Sequence, residues 1–578
     1  MGLRGLGVLA CAACGVAASA VPGDTVRVSL DSVGVQGNEF SYGPTISADG
    51  RFVAFRSSAS NLVPGDTNGT YDTFVTDLQT GATTRASIDS AGVQGNGFSY
   101  AQSLSADGRF VAFNSDSTNL VAGDTNRRDD IFVRDVTLGT TTRVSVDSTG
   151  AQGNASSDWP SISADGRFVV FYSAASNLVA GDTNDVQDIF LRDRQFGTTI
   201  RVSFDSAGAQ GNDASYSPSL SADGRFVAFE SRASNLVTGD TNASRDIFVR
   251  DLTLSTTTRV SVTSVGAQGN GLSYAPSLSA DGRFVAFRSE ASTLVAGDTN
   301  GRPDIFVRDL TLGITTRVSV DSAGTQANSD SERPSISADG RFVAFDSFAS
   351  NLVAGDTNSR WDIFVRDLML GTTTRVSAHS AGAQANGGSY WPALSADARF
   401  VAFSSDASNL VTGDTNAYED VFRHELVVPA GPVKLKLDFD SWTGASLPAT
   451  ADYALRKADG TPVSSGTVAV AANGMIEIPK PAAGDYELLV KSSGFLRKKV
   501  AFTQGASTVD LGTVSLVNGD IDGDNAVTVF DYDALSAAFD SAPGDANWNP
   551  AADLDGDLAV TVFDYDILSQ NFDRQGDE

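Results

Sequence analysis

Asp520, Asp522, Asp524 and Asp531 stand at positions 1, 3, 5 and 12 of a twelve-residue loop, with Ala526 at position 7. Carboxylates at that spacing, joined by one backbone carbonyl, wrap an oxygen cage around Ca2+. Asp553, Asp555, Asp557, Ala559 and Asp564 repeat the arrangement 33 residues later, and each loop runs into a short apolar-periodic segment, VTVFDYDALSAAF or VTVFDYDILSQNF. Calcium is the expected ligand, because four crowded carboxylates repel one another until a divalent ion joins them. Position 6 differs between the loops. Asn525 tolerates the left-handed turn required there and Leu558 tolerates it badly, so the second loop is expected to be the weaker.

Two further sets of residues recur along the chain. GDTN places Asp66, Asp124, Asp182, Asp240, Asp298, Asp356 and Asp414 in equivalent loops, each with Asn two residues on and Asp six residues on. That spacing suits three calcium ligands, and it equally suits a turn braced by side-chain to backbone bonds, which is the preferred reading. The second set is a row reading Tyr42, Tyr100, Asp158, Tyr216, Tyr274, Glu332, Tyr390, with Trp159, Arg333 and Trp391 at the following position. Aromatic rings with a few charges can stack a sugar or hold a peptide. For the repeated tyrosines, packing between repeats is the preferred reading. Asp158, Trp159, Glu332, Arg333 and Trp391 are the stronger candidates, since the repeat alone does not ask for them.

These residues are positioned by a repeat. SADGRF begins at Ser47, Ser105, Ser163, Ser221, Ser279 and Ser337, and SADARF at Ser395, always 58 residues apart. Each unit reads as four short strands, a (SYxPSLS), b (RFVAF), c (DIFVRDL) and d (TTRVSVD), with no helical period. Four antiparallel strands per unit make a propeller blade. Tight turns at SADGR and L-x-x-G-x-T leave the long d-to-a and b-to-c loops together on one rim, the expected ligand face. The seventh unit stops after strand c at Leu426, whereas TVRVSLDS at 25 to 32 is a d strand without a unit. Pairing the two removes the open edge and closes a ring of seven blades. A linear solenoid would not need the spare strand.

S-x-D-G-R-x-x-A-F followed by D-I-F-V-R-D-L resembles the TolB-like, WD-repeat-related propeller blades of secreted bacterial proteins, over residues 25 to 426. Such blades serve binding proteins, prolyl-peptidase-type enzymes and some polysaccharide lyases, so the resemblance implies a fold more than a function.

The chain carries 41 Lys+Arg against 70 Asp+Glu, a formal charge of −29. Phosphate backbones and anionic lipid would repel it, which argues against nucleic acid and membrane surfaces as partners. Arg4, the apolar run LGVLACAACGVAA and Ala18-Ser19-Ala20 read as a secretory signal peptide over 1 to 20, so an extracellular protein, free or surface-attached, is expected. Cys11 and Cys14, the two cysteines, leave with it. A lipoprotein acylated at Cys11 is the alternative; Leu9 stands where a small residue belongs. Only His379 and His424 are present and there is no G-x-S-x-G elbow, so no catalytic residue is assigned. His424 replaces the Arg of VRD and reads as a strand residue.

Residues 427 to 516 alternate like strands between D-G, N-G and S-G turns and read as a small β-sandwich spacer, similar to prealbumin-like or carboxypeptidase-regulatory-like modules. Residues 517 to 578 hold the two acidic loops, each feeding one helix, and resemble a type I dockerin, an EF-hand-like module. The resemblance implies a cohesin-like partner contacted at loop positions 10 and 11, here Val529, Phe530, Val562 and Phe563, where cellulosomal members often carry Ser/Thr pairs. The fold class expected is mainly β: a seven-bladed propeller over 21 to 426, the sandwich, and a small α/loop calcium module. The function expected is a secreted, non-catalytic binding or scaffold protein. An enzyme or accessory factor in extracellular polysaccharide degradation and a purely structural surface protein are the alternatives.

Overall fold

The computed structural model describes residues 23–426, 433–439, 448–471, 474–478, 484–492, 494–504, 509–521, 524–549, 551–554 and 558–576. The signal-peptide segment and Asp522, Asp555 and Asp557 lie outside the described residues. The chain divides into two compact units, 1–427 and 428–578.

In the first unit every repeat folds into one four-stranded antiparallel sheet in the order a, b, c, d. The second repeat shows the pattern: Ser99–Leu104, Phe110–Ser115, Asp130–Asp135 and Thr140–Arg143. Strands b and c are covered on both faces, which is why FVAF and DIFV are nearly continuous apolar runs. Each sheet carries one stacked phenylalanine pair between them, as Phe113 on Phe132 with centroids 5.9 Å apart. The cores lie between neighbouring sheets: Ile131 and Val133 of the second pack with Ile162, Val169 and Phe171 of the third.

The ring closes in two ways. The turn alanines form an unbroken circle of N–H to carbonyl bonds, Ala48 to Ala106, Ala164, Ala222, Ala280, Ala338, Ala396 and back to Ala48, all 2.9 to 3.1 Å. Thr25–Arg27 pairs antiparallel with Asp420–Glu425 and supplies the fourth strand of the sheet that contains Ser389–Leu394. This closed circle of four-stranded sheets is a β-propeller. At the seam His424 lies in the strand, buried, with Nδ1 2.8 Å from Thr25 Oγ1. Burial pulls its pKa down to about 4, so it is neutral.

Gly108 of the second SADGR turn is needed twice over. Its φ is +73°, and a Cβ there would meet Phe52 of the preceding repeat at 2.3 Å. Ala398 occupies the same position of the seventh turn at φ 55° and carries the strain that glycine avoids elsewhere.

In the second unit a three-stranded sheet (Met475–Ile478, Val433–Phe439, Val509–Leu516) and a four-stranded sheet (Pro462–Ala469, Thr450–Lys457, Gly484–Lys491, Lys498–Gln504) share one core around Leu435, Leu455, Ile476, Leu488 and Leu516. Val433–Phe439 runs parallel to Val509–Leu516, a pairing that hairpin turns alone do not predict. Helices α1 (Val529–Ala538) and α2 (Val562–Asn571) follow the acidic loops. Leu496, Ile521, Val527, Leu535, Leu554, Val560 and Leu568 form a second, smaller core beside them.

Candidate functional site

Strand a is the first strand of each sheet, and each a–b pairing slips at a bulge, as between Tyr42 and Thr45. A bulge re-aims a side chain. The residue after the tyrosine position has left-handed backbone: φ is 62° at Gly43, 51° at Trp159, 48° at Ser217, 49° at Ala275, 45° at Arg333 and 57° at Trp391. Pro44, Pro160, Pro218, Pro276, Pro334 and Pro392 follow directly. Proline fits such an edge, having no N–H to leave unpaired. These residues, from six of the repeats, converge on a cavity of about 500 Å3, to which the second repeat contributes Gln102.

Trp159 and Trp391 stack in this cavity with centroids 6.0 Å apart, planes 26° from parallel. The Arg333 guanidinium lies 4.4 Å over the Trp391 ring and is paired with Asp346 Oδ2. Burial pushes the Asp346 carboxyl up to about 7 against the opposing pull of Arg333. Glu332 Oε2 forms an ion pair with Arg288 Nε at 3.0 Å, and Arg288 lies 4.9 Å over Tyr274. A large left-handed tryptophan or arginine is costly, and strain of this kind concentrates where side chains are held for a purpose.

Of the sequence candidates, Trp159, Glu332, Arg333 and Trp391 line this cavity. Tyr42, Tyr100, Asp158 and Tyr390 are not among its lining residues. The position is not excluded as such, since Tyr274 and Glu332 occupy it and line the cavity; the four differ in the partners that hold them. Tyr42 packs edge-on against Tyr71 and Tyr390 lies against Trp361, while Tyr100 donates to Asp129 at 2.6 Å. Burial holds Tyr42 up at about 12 and raises Tyr100 and Tyr390 too. Asp158 accepts Asn114 Nδ2 at 2.8 Å, and burial pushes it up to about 6.

The GDTN carboxylates are engaged within the protein. Asp66 and Asp72 share Arg85 Nη1 at 3.3 and 3.2 Å and both accept Gln94 Nε2, at 2.7 and 2.9 Å, while Asn68 donates to Asp72 and to the Gly95 carbonyl. Arg201 with Asp182 and Asp188, and Arg27 with Asp414 and Asp420, reproduce the arrangement. The loops are ion-paired braces.

In the second unit Asp531 and Asp564 open α1 and α2. Asp531 accepts the N–H groups of Ile521 and Thr528 at 2.6 and 2.8 Å, and Asp564 those of Leu554 and Thr561 at 2.6 and 2.7 Å. Asp520 and Asp553 are buried. Asp520 Oδ2 pairs with Lys491 Nζ and accepts the Asn525 N–H, and its buried Oδ1 has no hydrogen-bond partner among the described residues. Asp524 is exposed and accepts the Ala526 N–H at 2.9 Å, while the Leu558 N–H donates to Asp553 at 3.0 Å. Asn525 and Leu558 are left-handed, at φ 75° and 70°. Among the described residues no three His, Cys, Asp or Glu side chains converge on a common metal position. Phe530, Val562 and Phe563 are exposed on the first turns of the helices, where Val529 begins α1.

No protein-family model matches the chain, and neither does any curated protein. Solved structures align with it at low identity. An oligogalacturonate lyase in complex with manganese aligns at 13% identity over 70% of this chain and 98% of its own, with a TM-score of 0.44. TolB from Acinetobacter baumannii aligns at 17% over 58% of this chain, TM-score 0.33, and the chain spans 63% of that protein. A type II cohesin–X-dockerin complex from Acetivibrio cellulolyticus aligns at 21% over 25% of this chain and 97% of its own, TM-score 0.21. None of these likenesses is close enough to bear on function.

The sequence reading missed Arg56, Gln102 and Arg288 in the cavity wall. Arg56 and Arg288 lie on strand b, directly across from Tyr42 and Tyr274. The available signal was the residue after FVAF or FVVF, which reads Arg56, Asn114, Tyr172, Glu230, Arg288, Asp346 and Ser404 while its neighbours scarcely change.

Proposed function

We propose that this protein is a secreted, non-catalytic binding protein: a seven-bladed propeller over 21 to 426 takes a small ligand in its axial cavity, residues 427 to 516 act as a spacer, and residues 517 to 578 form a calcium-dependent handle for another protein. The observation that carries the first part is the Trp159–Trp391 stack beside Arg333, held at left-handed positions where the fold accepts Gly43 or Ala275. A concave lining of indole, proline and ion-paired charge is the chemistry of binding, with flat faces for a ring and a few fixed polar groups for orientation. Asp158 and Asp346, two of the carboxyls that burial raises, are held by Asn114 and Arg333 and do not line the cavity.

The second unit's acidic residues fit a divalent cation, on the observation that Asp520 keeps one buried oxygen without a hydrogen-bond partner among the described residues. Asp520, Asp522, Asp524 and Asp531 with the Ala526 carbonyl would hold Ca2+, and Asp553, Asp555, Asp557, Asp564 and the Ala559 carbonyl a second ion. Bound calcium neutralises the loops. Phe530, Val562 and Phe563 then offer an apolar surface, with Val529 beside them in sequence, to a cohesin-like or other surface protein.

The test is a glycan and peptide array probed with the full chain, alongside turnover assays on pectin-type and cellulose-type polymers. Array binding without turnover is expected. Turnover would move the protein to the polysaccharide-degrading alternative, and neither binding nor turnover would leave a structural component.

A further inference from the structure

The ion pairs of the cavity wall leave one of its arginines out. Arg333 is paired with Asp346, and Arg288 with Glu332 at 3.0 Å and Glu290 at 3.1 Å. Arg56 has no such partner: among the described residues it makes no ion pair and no hydrogen bond, and its Nε is buried without an acceptor. Its guanidinium lies 4.1 Å over the Tyr42 ring, which fixes its plane and leaves the N–H edge unengaged. Glu419 acts on it only at longer range, and burial lowers its pKa from the usual arginine value. A half-buried guanidinium has lost water without gaining an acceptor, which is unfavourable unless an anion arrives.

Resting on the reading of this cavity as a ligand site, we propose that its ligand is a carboxylate carried on a ring: Arg56 receives the carboxylate and Trp159 and Trp391 cover the ring. The planar fork of a guanidinium matches a carboxylate through two parallel hydrogen bonds, and such pairing is stronger away from bulk water. A cavity of about 500 Å3 has room for a ligand larger than the carboxylate alone, and the stacked indoles provide the flat apolar surface a ring needs. A single guanidinium fork outside the ion pairs suits a monoanion better than a polyphosphate, which would need several cations.

The experiment is a titration of the full chain, read by tryptophan fluorescence, with D-glucuronate and phenylacetate as ring carboxylates, D-glucose and 2-phenylethanol as their uncharged counterparts, and acetate as a carboxylate without a ring. At least one ring carboxylate should bind about tenfold or more tightly than both its uncharged counterpart and acetate, as expected for one charge-assisted contact. Arg56→Gln should remove that preference while leaving the unfolding midpoint in place, and Arg56→Lys should keep part of it. Equal binding of charged and uncharged probes, no binding by any probe at millimolar concentration, or an Arg56→Gln protein that still prefers the carboxylate would overturn the proposal. If the array ligand depends on Trp391 but not on Arg56, the carboxylate assignment fails and the cavity reading survives. If it depends on neither, both fail.

Discussion

Replacing Arg27 by methionine tests how the propeller is closed and what its seven acidic loops are for. Arg27 belongs to the N-terminal strand, yet its Nη2 lies 3.0 Å from Asp414 and its Nε 3.6 Å from Asp420, at the far end of the ring. All three side chains are almost wholly out of water, at 6, 4 and 0% exposure. Methionine keeps most of the apolar stem and removes the charge. Asp420 retains Ser29 Oγ at 2.6 Å and Asn416 Nδ2 at 3.1 Å, so it is not stripped bare; Asp414 loses its cation. Breaking a buried pair costs roughly 3 to 5 kcal/mol, and the retained hydrogen bonds put this case near the lower end, about 3 kcal/mol. The loss should grow with pH. Burial already raises the Asp420 carboxyl, and a group raised in the folded state contributes stability at low pH that disappears as pH climbs through its folded value; without Arg27 that value rises further. Urea unfolding of the full chain at pH 5 and pH 8, with and without millimolar Ca2+, measures this. Arg201→Met, away from the seam, should lose a similar amount, since Arg201 makes the same pair of contacts. A loss below about 1 kcal/mol, or recovery on adding Ca2+, would refute the brace and return these loops to the metal reading.

Gly108→Ala should cost at least about 2 kcal/mol, from the left-handed backbone plus the approach to Phe52, whereas Ala398→Gly should raise stability by about 1 kcal/mol; thermal unfolding reads both, and opposite signs would contradict the turn analysis. Asp158→Asn should flatten part of the pH dependence. The carboxyl is raised to about 6, so wild type loses stability relative to the variant as pH rises through 6, by at most ~3 kcal/mol and by about half that once solvent access is allowed for. Parallel stability curves for the two proteins would sink this. Leu558→Gly should tighten the second acidic loop for Ca2+ by about fivefold, as relief of roughly 1 kcal/mol of strain, with calorimetry showing one affinity changed and the other not. A chelator should lower the protection of the amides of α1 and α2 in hydrogen exchange; unchanged protection would remove calcium from the account.

Much of the ring was legible because its signals are local and repeated. The 58-residue period, the period-two strands and the spare N-terminal strand each specify a pairing that the sheets realise, down to Thr25 opposite His424. The brace in the GDTN loops was legible only as an alternative, since Arg85 and Gln94, which engage Asp66 and Asp72, come from strand d and the next loop. The cavity was half legible. Trp159, Arg333 and Trp391 stood out as departures from the repeat, but the bulge that aims them inward has no marker beyond the following proline. Without the bulge, the row before it looks equally exposed to the axis, which is why Tyr42, Tyr100, Asp158 and Tyr390 were grouped with them. Arg56 was hidden for a different reason: it becomes informative only when Asp346, Glu332 and Glu290 are seen to be paired with other arginines.

The most direct measurement is the affinity of the array-selected ligand for the full chain and for a Trp159→Gly/Trp391→Gly protein. Glycine suits both left-handed positions, as Gly43 does in the first repeat, so the double variant should unfold no earlier than wild type. The account predicts at least a tenfold loss of affinity with the unfolding midpoint unchanged or raised; equal affinity in the two proteins would contradict it and place the ligand elsewhere on the molecule.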